Sequence, residues 1–162
     1  MASRAHTAGF TYVEVLLAAA LLAMTTATIG YALGHARDLG DQQAVAAQGR
    51  YLLHDGLAWL QTLPREDAKE PGGFGMEADE SALADVDDVD DLAGIVETGP
   101  VDRLGNVAEA DWTRTWTVSS ANLTTPTTDA ARGSTPLLRV SLVVHCRGRE
   151  ITRETLLLSR TP

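Results

Sequence analysis

The feature that most constrains this chain of 162 residues is an apolar segment near its N-terminus. Residues 10–34 carry a single charged side chain, Glu14. About 20 apolar residues in a helix span a bilayer, so the segment is long enough to cross a membrane. Arg4 precedes it and favours a cytoplasmic N-terminus, although Arg37 follows closely and weakens that bias. The segment therefore predicts a single membrane-spanning helix.

Composition leaves a second interpretation of this segment open. A short polar stretch, an apolar run and small residues near Ala27 or Gly34 are also typical of a secretory signal peptide or a simple anchor. The two interpretations differ in whether the apolar run stays attached to the mature protein. The residues just before the run favour its retention.

The junction before the apolar run has a specific pattern. Gly9 is followed by Phe10 and, at the fifth position after the junction, by Glu14. This combination resembles the N-terminus of the type IV pilins and type II secretion pseudopilins, over roughly residues 8–30. The resemblance implies that residues 1–9 are a leader. A prepilin peptidase would cut between Gly9 and Phe10 on the cytoplasmic side and methylate the new amine of Phe10.

The resemblance also implies a function. It predicts a minor pilin or pseudopilin that is incorporated into, or primes the assembly of, a type IV pilus or type II secretion pseudopilus. Its partners would be other pilins or pseudopilins, through the N-terminal helix, together with the prepilin peptidase. The chain would lie in the bacterial inner membrane, with its N-terminus cytoplasmic and its C-terminal domain extracytoplasmic, before it joins the fibre.

Glu14 is the candidate assembly residue. A carboxylate costs about 2.5–3.5 kcal/mol at the centre of a membrane helix and less near an interface. Glu14 lies about one helical turn from Phe10, so it either reaches the interface or pairs with a cation when subunits pack together. The resemblance favours pairing with the methylated amine of a neighbouring subunit, strengthened by a low dielectric.

The helical pattern continues beyond the apolar run, over residues 35–63. Its apolar side chains share one arc at 100° per residue, which predicts an amphipathic helix. They are Leu39, Val45, Ala46, Leu52, Leu53, Leu57, Leu60 and Leu63. The polar side chains Arg37, Gln48, Asp55 and Thr62 are predicted to lie opposite them. Pro64 ends the pattern. We therefore expect one long helix, with a membrane half at 10–34 and an amphipathic half at 35–63.

Residues 64–111 are predicted to form a linker and an acidic loop region. From residue 70 to residue 102 the chain has no Lys or Arg. The densest acidic residues are Asp85, Asp87, Asp88, Asp90 and Asp91. A solvated acidic loop and a calcium-binding loop are both open interpretations, although the spacing of an EF-hand is absent. Residues 87–91, Asp-Asp-Val-Asp-Asp, resemble a stretch in minor pilins of the pilus-modification type.

Residues 112–162 are predicted to form a sheet. Apolar and polar residues alternate from Trp112 to Val118, the stretch from Ser119 to Ser134 has the composition of an exposed loop, and a hairpin signal at 147–149 separates two further strands, Leu137–Cys146 and Glu150–Ser159. The predicted fold is α+β and pilin-like. In it, a long N-terminal helix packs on a small antiparallel sheet of about three strands.

The remaining composition narrows the function classes. A formal net charge of −9 argues against nucleic-acid binding, which relies on clustered Lys and Arg. The single cysteine, Cys146, excludes an internal disulfide framework, and its neighbour His145 points to the opposite face of a strand, so the two form no nucleophile–base pair. No enzyme motif is present and no cofactor is required. Two alternatives remain: an extracytoplasmic acidic calcium-binding or adhesive module with a conventional signal peptide or anchor, and a small envelope enzyme.

Overall fold

The computed structural model describes residues 10–65, 74–76 and 83–159. The elements are a helix, α1 (Tyr12–Leu60), two 3₁₀ helices (Leu83–Asp85 and Asp90–Leu92), and strands β1 (Val96–Thr98), β2 (Trp112–Ser120), β3 (Leu137–Cys146) and β4 (Arg149–Ser159). The predicted α+β class is confirmed: a long N-terminal helix packs on a small antiparallel sheet. The chain divides into two compact units, one up to Gln43 and one from Ala44 onward.

The first unit contains the apolar part of α1. Every described side chain from Phe10 to Gln43 is exposed. The helix is long and apolar enough to cross a membrane. Its hydroxyl groups are satisfied locally, since Thr25 and Thr26 donate to the Leu22 carbonyl oxygen at 2.9 and 2.8 Å. Local bonding of this kind suits an apolar environment, where no water is present to pair a hydroxyl.

The second unit is built on a four-stranded antiparallel sheet in the order β1-β2-β3-β4. The C-terminal part of α1 covers one face of this sheet. Alternate residues of β2 and β3 face the helix and are buried, as the period of a strand requires. The largest buried apolar side chains of this core are Leu52, Leu92, Trp116, Leu138 and Leu142.

The three predicted strands are confirmed as β2, β3 and β4. The turn between β3 and β4 has two residues, Arg147 and Gly148, with φ of 52° and 74°. Positive φ at both positions matches the twist of a tight hairpin. Two details were wrong. The sheet has a fourth strand, β1, and β2 extends to Ser120, so Ser119 and Ser120 belong to the sheet rather than to an exposed loop.

The amphipathic half of α1 also departs from its prediction. The helix ends at Leu60, three residues before the predicted end, and Leu63 packs on the core from the following turn. Leu39 is exposed, because the core begins to cover the helix only around Val45. The largest error is Asp55, which was predicted to face away from the core and is instead buried.

Candidate functional site

The predicted processing site lies at the start of α1. Gly9 is outside the described residues, and Phe10 is 88% exposed immediately before the helix. Glu14 lies in the first turn of α1. The exposed side chains that follow it are almost all apolar, so this stretch presents a surface that water does not favour.

Glu14 has a local role that the sequence analysis missed. Its carboxylate accepts hydrogen bonds from the backbone N–H and the hydroxyl of Thr11, at 2.8 and 2.9 Å. In return, the Glu14 N–H donates to the Thr11 hydroxyl at 3.3 Å. This reciprocal pair is a capping box, and the spacing Thr-x-x-Glu before an apolar run is its signal. Glu14 therefore helps to begin the helix, whatever else it does.

Three of the five candidate calcium ligands lie together. Asp88, Asp90 and Asp91 are each at most 3% exposed, so the prediction of a solvated loop was wrong for them. One carboxylate oxygen of Asp88 accepts the N–H groups of Asp90 and Asp91 at 2.8 and 3.3 Å. A carboxylate oxygen of Asp91 accepts the N–H groups of Asp87 and Asp88 at 3.2 and 3.1 Å. The backbone of the loop thus solvates its own buried carboxylates.

Within this aspartate cluster, burial changes the pKa of Asp88. Burial, together with the nearby charges of Asp90 and Asp91, raises the pKa of Asp88 to about 6, against the backbone hydrogen bonds from Asp90 and Asp91 that lower it. The neighbours Val89 and Leu92 are in the hydrophobic core, which explains why the acids are drawn inside. A carboxylate is accommodated here with its own backbone as the partner.

The other two candidate ligands, Asp85 and Asp87, are exposed. Within the residues that the structure describes, no group of three or more His, Cys, Asp or Glu side chains is arranged to hold a metal ion. Calcium binding therefore stays a prediction for this loop.

A second group of buried charges joins α1 to the sheet, and the sequence analysis did not find it. Arg114 of β2 is 3% exposed and lies between two buried carboxylates. Its guanidinium donates to both oxygens of Glu97, at 3.0 and 2.6 Å, and to Asp55 at 3.2 Å. Trp116 also donates to Glu97, at 2.7 Å. We call Asp55, Glu97 and Arg114 the buried ion cluster.

The loop that follows β1 is fastened beside this cluster. Asp102 accepts hydrogen bonds from the Tyr51 hydroxyl at 2.5 Å and from the backbone and side chain of Asn106. The hydrogen bond from Tyr51, followed by that from the Asn106 side chain, lowers the pKa of Asp102 to about 2. Arg103 adds an ion pair with Asp55 at 3.2 Å. Contacts with Tyr51 and Asp55 therefore hold the loop on α1.

A cavity of about 750 Å³ lies between α1 and β1. Its walls are mainly apolar and include Trp59, Leu83, Ile95 and Pro100, and the buried ion cluster forms part of its lining. Comparisons with models of protein families, with curated proteins and with solved structures found no match to this chain. Support for a function therefore comes from the residues and contacts described above.

Proposed function

We propose that this chain is a minor pilin or pseudopilin. It would be cleaved between Gly9 and Phe10, held in the inner membrane by its N-terminal helix, and then incorporated into a type IV pilus or type II secretion pseudopilus. The C-terminal domain would be extracytoplasmic. The observation that carries this proposal is the wholly exposed apolar segment 10–34, which directly follows the Gly-Phe junction and has one charged side chain, Glu14.

The exposed apolar segment needs a surface to cover it. Burying one large aliphatic or aromatic side chain is worth roughly 1.5–3 kcal/mol. Many such side chains are exposed in the first unit, namely Phe10, Tyr12, Val13, Val15, Leu16, Leu17, Leu21, Leu22, Met24, Ile29, Tyr31 and Leu33. Lipid covers them in an anchored subunit, and equivalent helices of other subunits cover them in a fibre. The proposal assigns the chain no catalytic reaction.

Glu14 distinguishes these two environments. In an anchored subunit, its carboxylate is satisfied by Thr11 at the start of the helix, near the membrane interface. Among packed helices the same charge is removed from water and requires a cation, because an unpaired buried charge is strongly destabilising. The methylated amine of Phe10 on a neighbouring subunit supplies that cation at the matching end of an equivalent helix.

The test separates the charge of Glu14 from its capping role. Glu14→Ala removes both, Glu14→Gln keeps a hydrogen-bond acceptor but no charge, and Thr11→Ala removes the cap while leaving the carboxylate. We expect all three variants to be cleaved normally. Incorporation should be lowest for Glu14→Ala, intermediate for Glu14→Gln and close to wild type for Thr11→Ala.

The measurement is the amount of each variant that co-purifies with sheared fibres, relative to the membrane-held precursor and mature forms. Wild-type incorporation of Glu14→Ala would contradict the pairing mechanism. A loss in Thr11→Ala equal to that in Glu14→Ala would show that Glu14 acts only as a helix cap.

A further inference from the structure

The free edge of β1 has backbone groups without partners among the residues that the structure describes. In an antiparallel pair, the N–H and C=O groups of successive residues point alternately to the neighbouring strand and away from it. Gly99 donates to the Trp112 carbonyl oxygen at 2.9 Å, and Trp116 donates to that of Ile95 at 2.8 Å. Ile95, Glu97 and Gly99 therefore face β2, and Val96 and Thr98 direct their backbone groups outward.

The outward groups of Val96 and Thr98 form no hydrogen bond with any residue that the structure describes. They border the cavity of about 750 Å³ between β1 and α1. The carboxylates of Asp55 and Glu97 in that cavity already have a partner, because both pair with Arg114. The groups left unsatisfied here are thus backbone donors and acceptors beside an apolar wall.

The other free edge of the sheet is different. The strand β4 carries Arg149, Glu150, Arg153 and Glu154 over its first half. Charged side chains on an edge strand discourage pairing with another chain. Near the end of β4, the Arg65 guanidinium donates to the Ser159 carbonyl oxygen at 3.0 Å. The edge of β1 lacks such a row of charges, because Val96 and Thr98 are uncharged and the one charged side chain, Glu97, is buried against Arg114.

We propose that the edge of β1 and the adjoining cavity bind an extended segment of another protein as an added β-strand. Backbone hydrogen bonds to Val96 and Thr98 would supply register, and an apolar side chain of the segment would enter the cavity beside Trp59. This is the general mode of strand addition, in which the backbone provides affinity and a pocket selects the side chain. The site lies wholly in the second unit and does not depend on the pilin proposal.

The charged side chains around the cavity restrict which segment can bind there. The carboxylates of Asp55, Glu97 and Asp102 outnumber the guanidinium groups of Arg103 and Arg114 around the cavity. An acidic segment is therefore disfavoured, and the segment is neutral or basic.

The test uses the full chain in detergent micelles and a defined probe, a seven-residue peptide of alternating valine and threonine with a lysine at each end. Hydrogen exchange resolved to single amides is followed with and without this peptide. In the free chain, we expect the amides of Val96 and Thr98 to exchange rapidly and that of Gly99 to be protected. The lysine peptide should slow exchange at Val96 and Thr98 by about tenfold or more, and a version with glutamate in place of lysine should do so less.

Proline at position 98 gives a matched pair of variants. Thr98→Pro removes an outward N–H and none of the hydrogen bonds to β2, as edge strands tolerate. It should weaken peptide binding by up to about tenfold, the equivalent of one lost hydrogen bond, and Thr98→Ser should bind like wild type. Unchanged binding by a folded Thr98→Pro would overturn the proposal.

Three further outcomes would also overturn it. In the first, the peptide protects neither amide. In the second, both amides are already protected in the free chain at every protein concentration, which means that the chain covers its own edge. In the third, protection grows with protein concentration without any peptide, which means that a second copy is the occupant. Tryptophan fluorescence of each variant verifies that the fold is intact.

Discussion

The two halves of α1 differ in how much of their surface the rest of the described chain covers. A Cβ atom added at Gly34 would meet no atom within 4 Å, and the side chains around it are exposed. A Cβ atom added at Gly56 would lie 2.7 Å from Leu142, 3.2 Å from Trp116 and 3.3 Å from Arg114. The second half is therefore packed closely against its own sheet, whereas every described side chain of the first half is exposed. Under the proposed function, lipid or the helices of other subunits cover this exposed surface.

The acids of the two halves differ in the same way. Glu14 is exposed and is held by Thr11, three residues away. Asp55 is buried and is held by Arg114, 59 residues away. The first contact forms in an isolated helix, whereas the second exists only when helix and sheet pack together. Removing the cation of the second contact should therefore be far more damaging than removing the first contact.

The largest effect is expected for Arg114→Met. This change leaves Asp55 and Glu97 buried without their guanidinium partner, and removing one member of a buried pair costs about 3–5 kcal/mol. The measurement is denaturant unfolding of the full chain in micelles followed by tryptophan fluorescence. All three tryptophans, Trp59, Trp112 and Trp116, lie in the second unit, so the signal reports that unit.

The matched control is Arg153→Met. Arg153 pairs with Glu150 at 2.7 Å, but both side chains are about half exposed, so the loss should be at most about 1 kcal/mol. Equal losses in the two variants would show that the buried ion cluster is no more important than a surface pair. The contrast between an exposed and a buried acid would then fail.

The long helix and three strands could be predicted because their signals are local. The alternation from Trp112 to Val118 and the turn at Gly148 depend only on neighbouring residues. The strand β1 was missed because it has three residues and Glu97 at its centre. A strand this short forms because it pairs with β2, and that pairing leaves no pattern in the neighbouring sequence.

The buried ion cluster was missed for a related reason. The helical periodicity predicted an exposed Asp55 because its side chain is polar. The partner that allows Asp55 to be buried, Arg114, belongs to a strand that is distant in the sequence. One signal was available. Arg114 alternates with Trp112 and Trp116 on the core side of β2, and a buried cation requires a buried anion. The sequence does not say which acids supply it, because that depends on tertiary packing.

The next largest effect is expected from a change of pH, which alters the free energy of unfolding through the buried acid Asp88. Its pKa is raised from 3.8 to about 6 in the folded chain, so the folded state binds a proton that the unfolded state releases. Stability should therefore rise by about 2–3 kcal/mol as the pH falls from about 7 to about 4. Below that range, stability should decline as Asp102, with a pKa of about 2, loses the charge that Tyr51 stabilises. The measurement is the unfolding free energy across this pH range.

Asp88→Asn is the control for this pH dependence. The amide oxygen retains the acceptor for the N–H groups of Asp90 and Asp91, but the side chain no longer titrates. The variant should be more stable than wild type at pH 7 and should show no rise between pH 6 and pH 4. Calcium bound by the cluster would hold Asp88 deprotonated and reverse the wild-type slope, so the series is repeated with calcium and with chelator. An unchanged slope in Asp88→Asn would contradict the assignment.

The smallest effect comes from adding one methyl group to each half of α1. Gly56→Ala places it against Leu142, Trp116 and Arg114, and such overpacking should cost a net of about 1–2 kcal/mol despite the better helix propensity of alanine. Gly34→Ala meets no atom and should leave the unfolding free energy of the second unit unchanged. The same tryptophan unfolding curves measure both variants. A loss for Gly34→Ala equal to that for Gly56→Ala would contradict the contrast between the two halves.

The central claim is that the exposed apolar half of α1 remains on the mature protein and serves as its anchor and assembly surface. The most direct measurement is the mass and N-terminal sequence of the chain recovered from the cell envelope. We expect a chain that begins at a methylated Phe10 and retains the whole apolar run. A mature chain that begins near Ala27 or His35 would identify the segment as a conventional signal peptide and would contradict the proposed retention of the helix.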